Sequence, residues 1–155
     1  MKKLILHIGN HKTGTTTLFG CLKANEKALA HQGFSLFHRD PDGRVNAEGS
    51  ANKWVLFENQ NPHSASLHPL LAEACAEQKG TVIACAEEFA WLFNPELIEE
   101  FQKELAMYFD QIQVVCYLRR QDAHALSHYQ QASKDFERKT AKYFGVSCGA
   151  LPVYG

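Results

Sequence analysis

Along the chain, short apolar runs alternate with longer stretches in which apolar residues recur every three to four positions. Leu4–Ile8 is a compact apolar run ending in a glycine-containing loop, the pattern of a buried strand. From Thr15 to His31, Leu18, Phe19, Leu22, Ala28 and Leu29 suit one face of a helix, and Gly33 stands just past its end. Phe34–Phe37 fits a second strand. The stretch from Arg39 to Asn61 is polar, with a turn signal at Pro41-Asp42-Gly43. Within it, the need to bury Trp54, Val55 and Phe57 predicts a short helix over Ala51–Phe57. Ser66–Gln78 reads as a helix with Leu67, Leu70, Leu71, Ala74 and Cys75 inward, and Gly80 follows it. Thr81–Ala86 is a buried strand. Asn94-Pro95 opens the next helix, with Asn as its cap and Pro in its first turn; Leu97, Ile98, Phe101, Leu105 and Tyr108 form its stripe. Ile112–Leu118 is the most strand-like segment. Asp122 is placed to cap a final helix reaching about Tyr143, with Leu126, Tyr129 and Phe136 on its apolar side. The tail from Gly145 to Gly155 reads as irregular.

Strands separated by helices pair in parallel through right-handed crossovers. Near-continuous apolar strands fit a sheet covered on both faces. The expectation is therefore an α/β fold of three layers, with one domain over residues 1–155. Its strands near Leu4, Phe34, Thr81 and Ile112 share one core; their order is not readable.

Composition narrows the function classes. The formal net charge is −1, from 16 Lys+Arg against 17 Asp+Glu, which argues against a protein that coats nucleic acid or a polybasic membrane binder. Hydrophobic residues at 45% and charged residues at 21% fit an ordinary globular domain. No apolar run approaches the ~20 residues of a membrane span. Lys2 and Lys3 precede the first apolar run, but His7 and Gly9 cut it short of a signal-peptide core, and the expected compartment is the cytoplasm. The five cysteines are scattered without a Cys-x-x-Cys pair and read as reduced, mostly buried thiols. His124 and His128 stand four apart on the last helix, but no Glu follows His124 as a zinc-protease motif requires. No metal site is expected.

The chemistry concentrates in His7-Ile8-Gly9-Asn10-His11-Lys12-Thr13-Gly14-Thr15-Thr16-Thr17, between a strand and a helix. Such a junction offers backbone N–H groups and the positive end of a helix dipole to an anion. Gly9 and Gly14 let the backbone wrap, Lys12 adds a full charge, and the threonines add hydroxyl donors. The glycine spacing matches a Walker A loop, but the lysine that should follow the second glycine is replaced by Thr15. That displacement argues against ATP or GTP hydrolysis.

The segment Lys12-Thr13-Gly14-Thr15-Thr16 after a strand resembles the 5′-phosphosulfate-binding loop of sulfotransferases that use 3′-phosphoadenosine 5′-phosphosulfate (PAPS), in the form found in carbohydrate-type and bacterial members. A second segment agrees. Arg119 at a strand end and Ser127 eight residues on are similar to the pair that holds the 3′-phosphate in that family, with Arg120 as the competing choice. A planar guanidinium suits phosphate. Third, Glu87 or Glu88 follows the Thr81–Ala86 strand, where some carbohydrate members place a catalytic base; a helix-start carboxylate is the other reading of this pair.

The resemblance implies a P-loop-like fold and the following roles. Lys12 would stabilise charge on the leaving bridging oxygen, and Glu87 would take the acceptor proton. His11, Lys12, Thr13, Gly14, Thr15, Thr16, Arg119 and Ser127 would bind the donor. His11 could equally be a plain loop histidine. The partners implied are the nucleotide donor and a small-molecule or carbohydrate acceptor, without metal, nucleic acid or membrane. Family members are usually longer, so a C-terminally truncated member is expected. Two other readings stand beside this one: an inactive fragment that binds the spent nucleotide, and an ATP-dependent P-loop phosphotransferase.

Overall fold

The computed structural model describes residues 1–37, 54–58, 64–68 and 71–139. The chain divides into two compact units, Met1–Leu118 and Arg119–Gly155.

In the first unit, β1 (Lys3–His7) leads into α1 (Thr15–Ala24) and α2 (Glu26–His31), then β2 (Phe34–Leu36). The single helix expected over Thr15–His31 is broken at Asn25. The Asn25 side-chain amide donates to the Cys21 carbonyl at 2.8 Å, so a polar side chain competes with the helix ladder for its own backbone. The helix expected over Ala51–Phe57 is also corrected. Val55–Phe57 is a strand, β3, paired antiparallel with β4 (Ala65–Leu67); residues 51–53 lie outside the described residues. Val55 is buried and Leu56 exposed, the alternation of a strand. The β4 pairing also shortens the helix expected over Ser66–Gln78, and α3 covers only Leu71–Ala76. A proline at 69 disfavours helical backbone at His68, which separates the two elements. Leu71 and Cys75 do turn inward. The turn expected at Pro41-Asp42-Gly43 lies outside the described residues.

Then come β5 (Thr81–Cys85), a 3-10 helix over Glu87–Trp91, α4 (Pro95–Ala106) and β6 (Gln111–Val115). Asn94 caps α4 as expected: its side-chain oxygen accepts from the Glu96 N–H at 2.9 Å, and Pro95 sits in the first turn.

The four strands expected to share one sheet do so, all parallel, in the order β2-β5-β1-β6. Helices flank this sheet. Leu4, Leu6, Val82 and Ala84 pack with Trp54, Leu71, Phe101 and Leu105. The alternate residues Ile83 and Cys85 pack with Phe19 and Leu22 of α1. Two apolar faces on central strands are what a doubly covered parallel sheet needs. β6 departs from that pattern. Among the described residues it pairs with β1 alone, and Gln111 and Gln113 are exposed and Val114 57% exposed.

The second unit holds α5 (Gln121–Lys139). Asp122, expected as its cap, lies in its first turn. Leu126 and Tyr129, expected on an apolar side, are exposed. The tail from Gly145 lies outside the described residues. Among the described residues no helix is long and apolar enough to cross a membrane.

Of the cysteines described, Cys75 and Cys85 are buried while Cys21 and Cys116 are exposed, and all four are free thiols. Burial pushes Cys75 up to about 12 and Cys85 up to about 11, so neither is a ready nucleophile.

Candidate functional site

The carboxyl ends of β1 and β5 are neighbours in the sheet, with His7 opposite Cys85. The segments that leave these two strand ends therefore start side by side. After β1 comes the loop Ile8–Gly14; after β5 comes the 3-10 helix starting at Glu87.

The loop is held on both sides. The Ala86 N–H donates to the His7 carbonyl at 2.9 Å. The Ile8 N–H donates to Val115 at 2.9 Å, and Asn10 and Gly9 exchange bonds with Tyr117 at 3.2 and 2.8 Å. Inside the loop, the Asn10 side chain accepts from the His11 N–H at 2.8 Å, and the Thr13 hydroxyl donates to the Asn10 carbonyl at 2.5 Å.

Gly9 and Gly14 both have φ of 93°, the left-handed region that favours glycine. Gly9 also sits against the second arm of the site, since a β-carbon there would lie 3.3 Å from Glu87 Cβ. At Gly14 space is open, so the backbone angle alone selects glycine. Lys12, with φ of 60°, places a side chain in the same sparsely used region. The start of α1 at Thr15 has no side-chain cap, which leaves its first-turn N–H groups to the solvent or a ligand. Thr15 is buried; Thr16 is exposed.

Glu87 faces the loop: its Oε1 lies 3.4 Å from His11 Nδ1. The His11 ring in turn sits 5.1 Å from the Trp91 ring, centroid to centroid. Contact with His11 is the main cause that holds the Glu87 carboxyl below its usual range. Burial opposes the shift; Thr15 and Lys12 reinforce it. The Thr15 hydroxyl is buried and closes no hydrogen bond of good geometry, so its share is through proximity. A carboxylate, an imidazole, a lysine and threonines thus gather around one turn of backbone.

His7 lies directly beneath. It is 3% exposed, neither ring nitrogen has a hydrogen-bond partner, and Tyr117 meets its ring edge-on at 4.7 Å. Burial lowers its pKa, against a smaller opposing pull from Glu87.

Of the expected site residues, the structure brings together His11, Lys12, Thr13, Gly14, Thr15, Thr16 and Glu87 in the first unit. Arg119 and Ser127 belong to the second unit. There Arg120 is engaged by Asp122 through two contacts of 2.6 and 2.7 Å, while Arg119 is exposed and Ser127, in α5, is half-buried. Sequence reasoning missed three participants: Asn10 as the brace of the loop, Trp91 beside His11, and His7 under it. Only His7 had a signal, its place at the end of a buried strand.

An apolar groove of about 550 Å³ lies on the α4 side of the sheet, lined by Leu6, Phe101, Ile112 and Val114, with Ile8 and Asn10 the loop residues that reach it. No group of three or more metal-ligating side chains occurs among the described residues.

Compared with protein-family models, curated proteins and solved structures, the chain matches none.

Proposed function

We infer that the chain is a sulfotransferase of P-loop-like fold, which moves the sulfuryl group of PAPS to a hydroxyl acceptor. The observation that supports this reading best is the meeting of the Lys12–Thr16 loop with Glu87 through His11. A phosphate cradle alone would serve any nucleotide. A carboxylate–histidine pair on its rim is what hydroxyl transfer needs in addition.

In this reading, N–H groups from Thr13 to Thr16 hold the 5′-phosphate, and Lys12 stands by the bridging oxygen. The acceptor oxygen attacks sulfur, the bond from sulfur to the bridging oxygen breaks, and 3′-phosphoadenosine 5′-phosphate leaves as the sulfate ester forms. The acceptor proton passes to the His11–Glu87 pair. Glu87 alone, held ionised by its neighbours, is a weak proton acceptor. Its carboxylate is better suited to orienting His11 and balancing the charge the ring gains, as in other carboxylate–histidine pairs. Arg119 and Ser127 keep the 3′-phosphate role implied by the resemblance. Lys12 in place of a post-glycine lysine disfavours an ATP-dependent phosphotransferase.

The test is calorimetric titration with 3′-phosphoadenosine 5′-phosphate, with ATP–magnesium as control, followed by transfer from radiolabelled PAPS across a panel of hydroxyl acceptors. Selective nucleotide binding with transfer supports the reading. Selective binding without transfer to any acceptor points to the inactive fragment, and preference for ATP–magnesium overturns both.

A further inference from the structure

The second unit holds a pair of side chains that the reading above leaves unused. His124 and His128 occupy successive turns of α5, and their Nε2 atoms lie 3.2 Å apart. The rings meet edge-on with centroids 4.5 Å apart, and both side chains are half-buried. Residues four apart share one helix face, so this approach is built by the helix itself.

At 3.2 Å one ring N–H donates to the other ring nitrogen, and the same separation also suits two nitrogens sharing one metal ion. Imidazole nitrogens bind zinc at about 2.0–2.1 Å. An ion at that distance from two nitrogens 3.2 Å apart subtends an angle of about 100°, between octahedral and tetrahedral values. Binding places both rings in the Nδ1–H tautomer, so the ion replaces the proton held between the two Nε2 atoms.

We propose that His124 and His128 form a two-nitrogen site for a borderline divalent transition-metal ion such as Zn²⁺ or Ni²⁺. Two ligands leave at least two coordination positions for water or an incoming ligand. Imidazole suits zinc, nickel and copper, while magnesium prefers oxygen. The ion bridges two turns and ties α5 together, so loading raises the stability of the helix by mass action. No glutamate follows His124, but in the zinc-protease motif that glutamate serves the reaction and is not needed to bind the ion.

The test uses the full chain without an affinity tag. Calorimetry with Ni²⁺ should show one ion per chain, and Mg²⁺ should show none. His124→Ala and His128→Ala should each weaken Ni²⁺ binding by about tenfold or more. His31→Ala, His68→Ala and Ser127→Ala should bind as the parent does. Sub-stoichiometric Ni²⁺ should broaden the His124 and His128 ring resonances before those of other histidines. If an alanine variant loses helix content, His→Gln at the same position replaces it. Binding unchanged in both histidine variants, broadening centred on other histidines, or no binding at millimolar Ni²⁺ overturns the proposal.

Discussion

His11 Nδ1 stands 3.4 Å from Glu87 Oε1, joining the loop after β1 to the end of β5. The contact binds together two segments that lie 76 positions apart in the chain. The loop is also held by its backbone bonds to Val115 and Tyr117, so replacing Glu87 should act on the proposed chemistry and leave the loop standing. In Glu87→Gln, transfer from PAPS is expected to fall by about 100-fold or more, while affinity for 3′-phosphoadenosine 5′-phosphate stays within about threefold. Parallel radiolabel and calorimetric measurements check this. Equal losses in both would make Glu87 a structural support of the loop.

The same substitution has a signature in stability. The Glu87 carboxyl is held below its ordinary 4.5 in the folded chain. Its contribution is therefore present above about pH 4.5 and is lost as the pH falls through the lower folded value. The melting-temperature gap between the parent and Glu87→Gln should be constant near neutrality and shrink below about pH 4.5. A gap independent of pH would mean that the contact with His11 does not depend on the carboxylate's charge.

His7 makes the opposite kind of prediction. Burial depresses its pKa below 6.5, so the unfolded chain binds the proton more readily and stability declines as the pH falls below about 6.5. His7→Leu removes two buried nitrogens without partners. It should stabilise the chain by about 1 kcal/mol and flatten the decline just below pH 6.5. Thermal melts across that range decide it.

The two loop glycines should separate strain from crowding. Gly14→Ala meets only the cost of its left-handed backbone, about 1–2 kcal/mol. Gly9→Ala meets that cost and also crowds Glu87 at 3.3 Å. It should be the more destabilising of the two by denaturant unfolding, and the more damaging to transfer.

The proposed phosphate role falls to Arg119. Arg120 is occupied by Asp122 at the start of α5. Arg120→Ala should leave nucleotide affinity within about twofold, and Arg119→Ala should weaken it about tenfold or more. The reverse result would move the phosphate contact to Arg120.

Much of the sheet was legible because strands buried on both faces have no polar positions to confuse the pattern. Leu4–Ile8 and Thr81–Ala86 were placed within a residue of β1 and β5. The errors fell where local pattern competes with contacts distant in sequence. Trp54, Val55 and Phe57 needed burial, and burial alone cannot say whether a helix or a strand supplies it; pairing with Ala65–Leu67 decided for a strand. Helix continuity failed at Asn25, where a side chain interrupts an otherwise good stripe, and before Leu71, where pairing of Ala65–Leu67 with Val55–Phe57 took the first residues for a strand. For the site, glycine, lysine and threonine types single out the Gly9–Thr16 loop as the proposed anion cradle. The pairing of His11 with Glu87 was not visible, because it depends on β1 and β5 being neighbours, and strand order leaves no mark in a single sequence.

The bonds that Gly9 and Asn10 make with Tyr117, and that Ile8 makes with Val115, have a thermodynamic consequence. A loop already shaped by its neighbouring strand has little conformational freedom left to surrender when an anion arrives. Amide protons at Ile8, Asn10 and Tyr117 should exchange slowly even in the empty protein, and ligand should slow them little further. The cradle would then act as a rigid mould whose affinity comes from charge and hydrogen bonds, without a folding step coupled to binding.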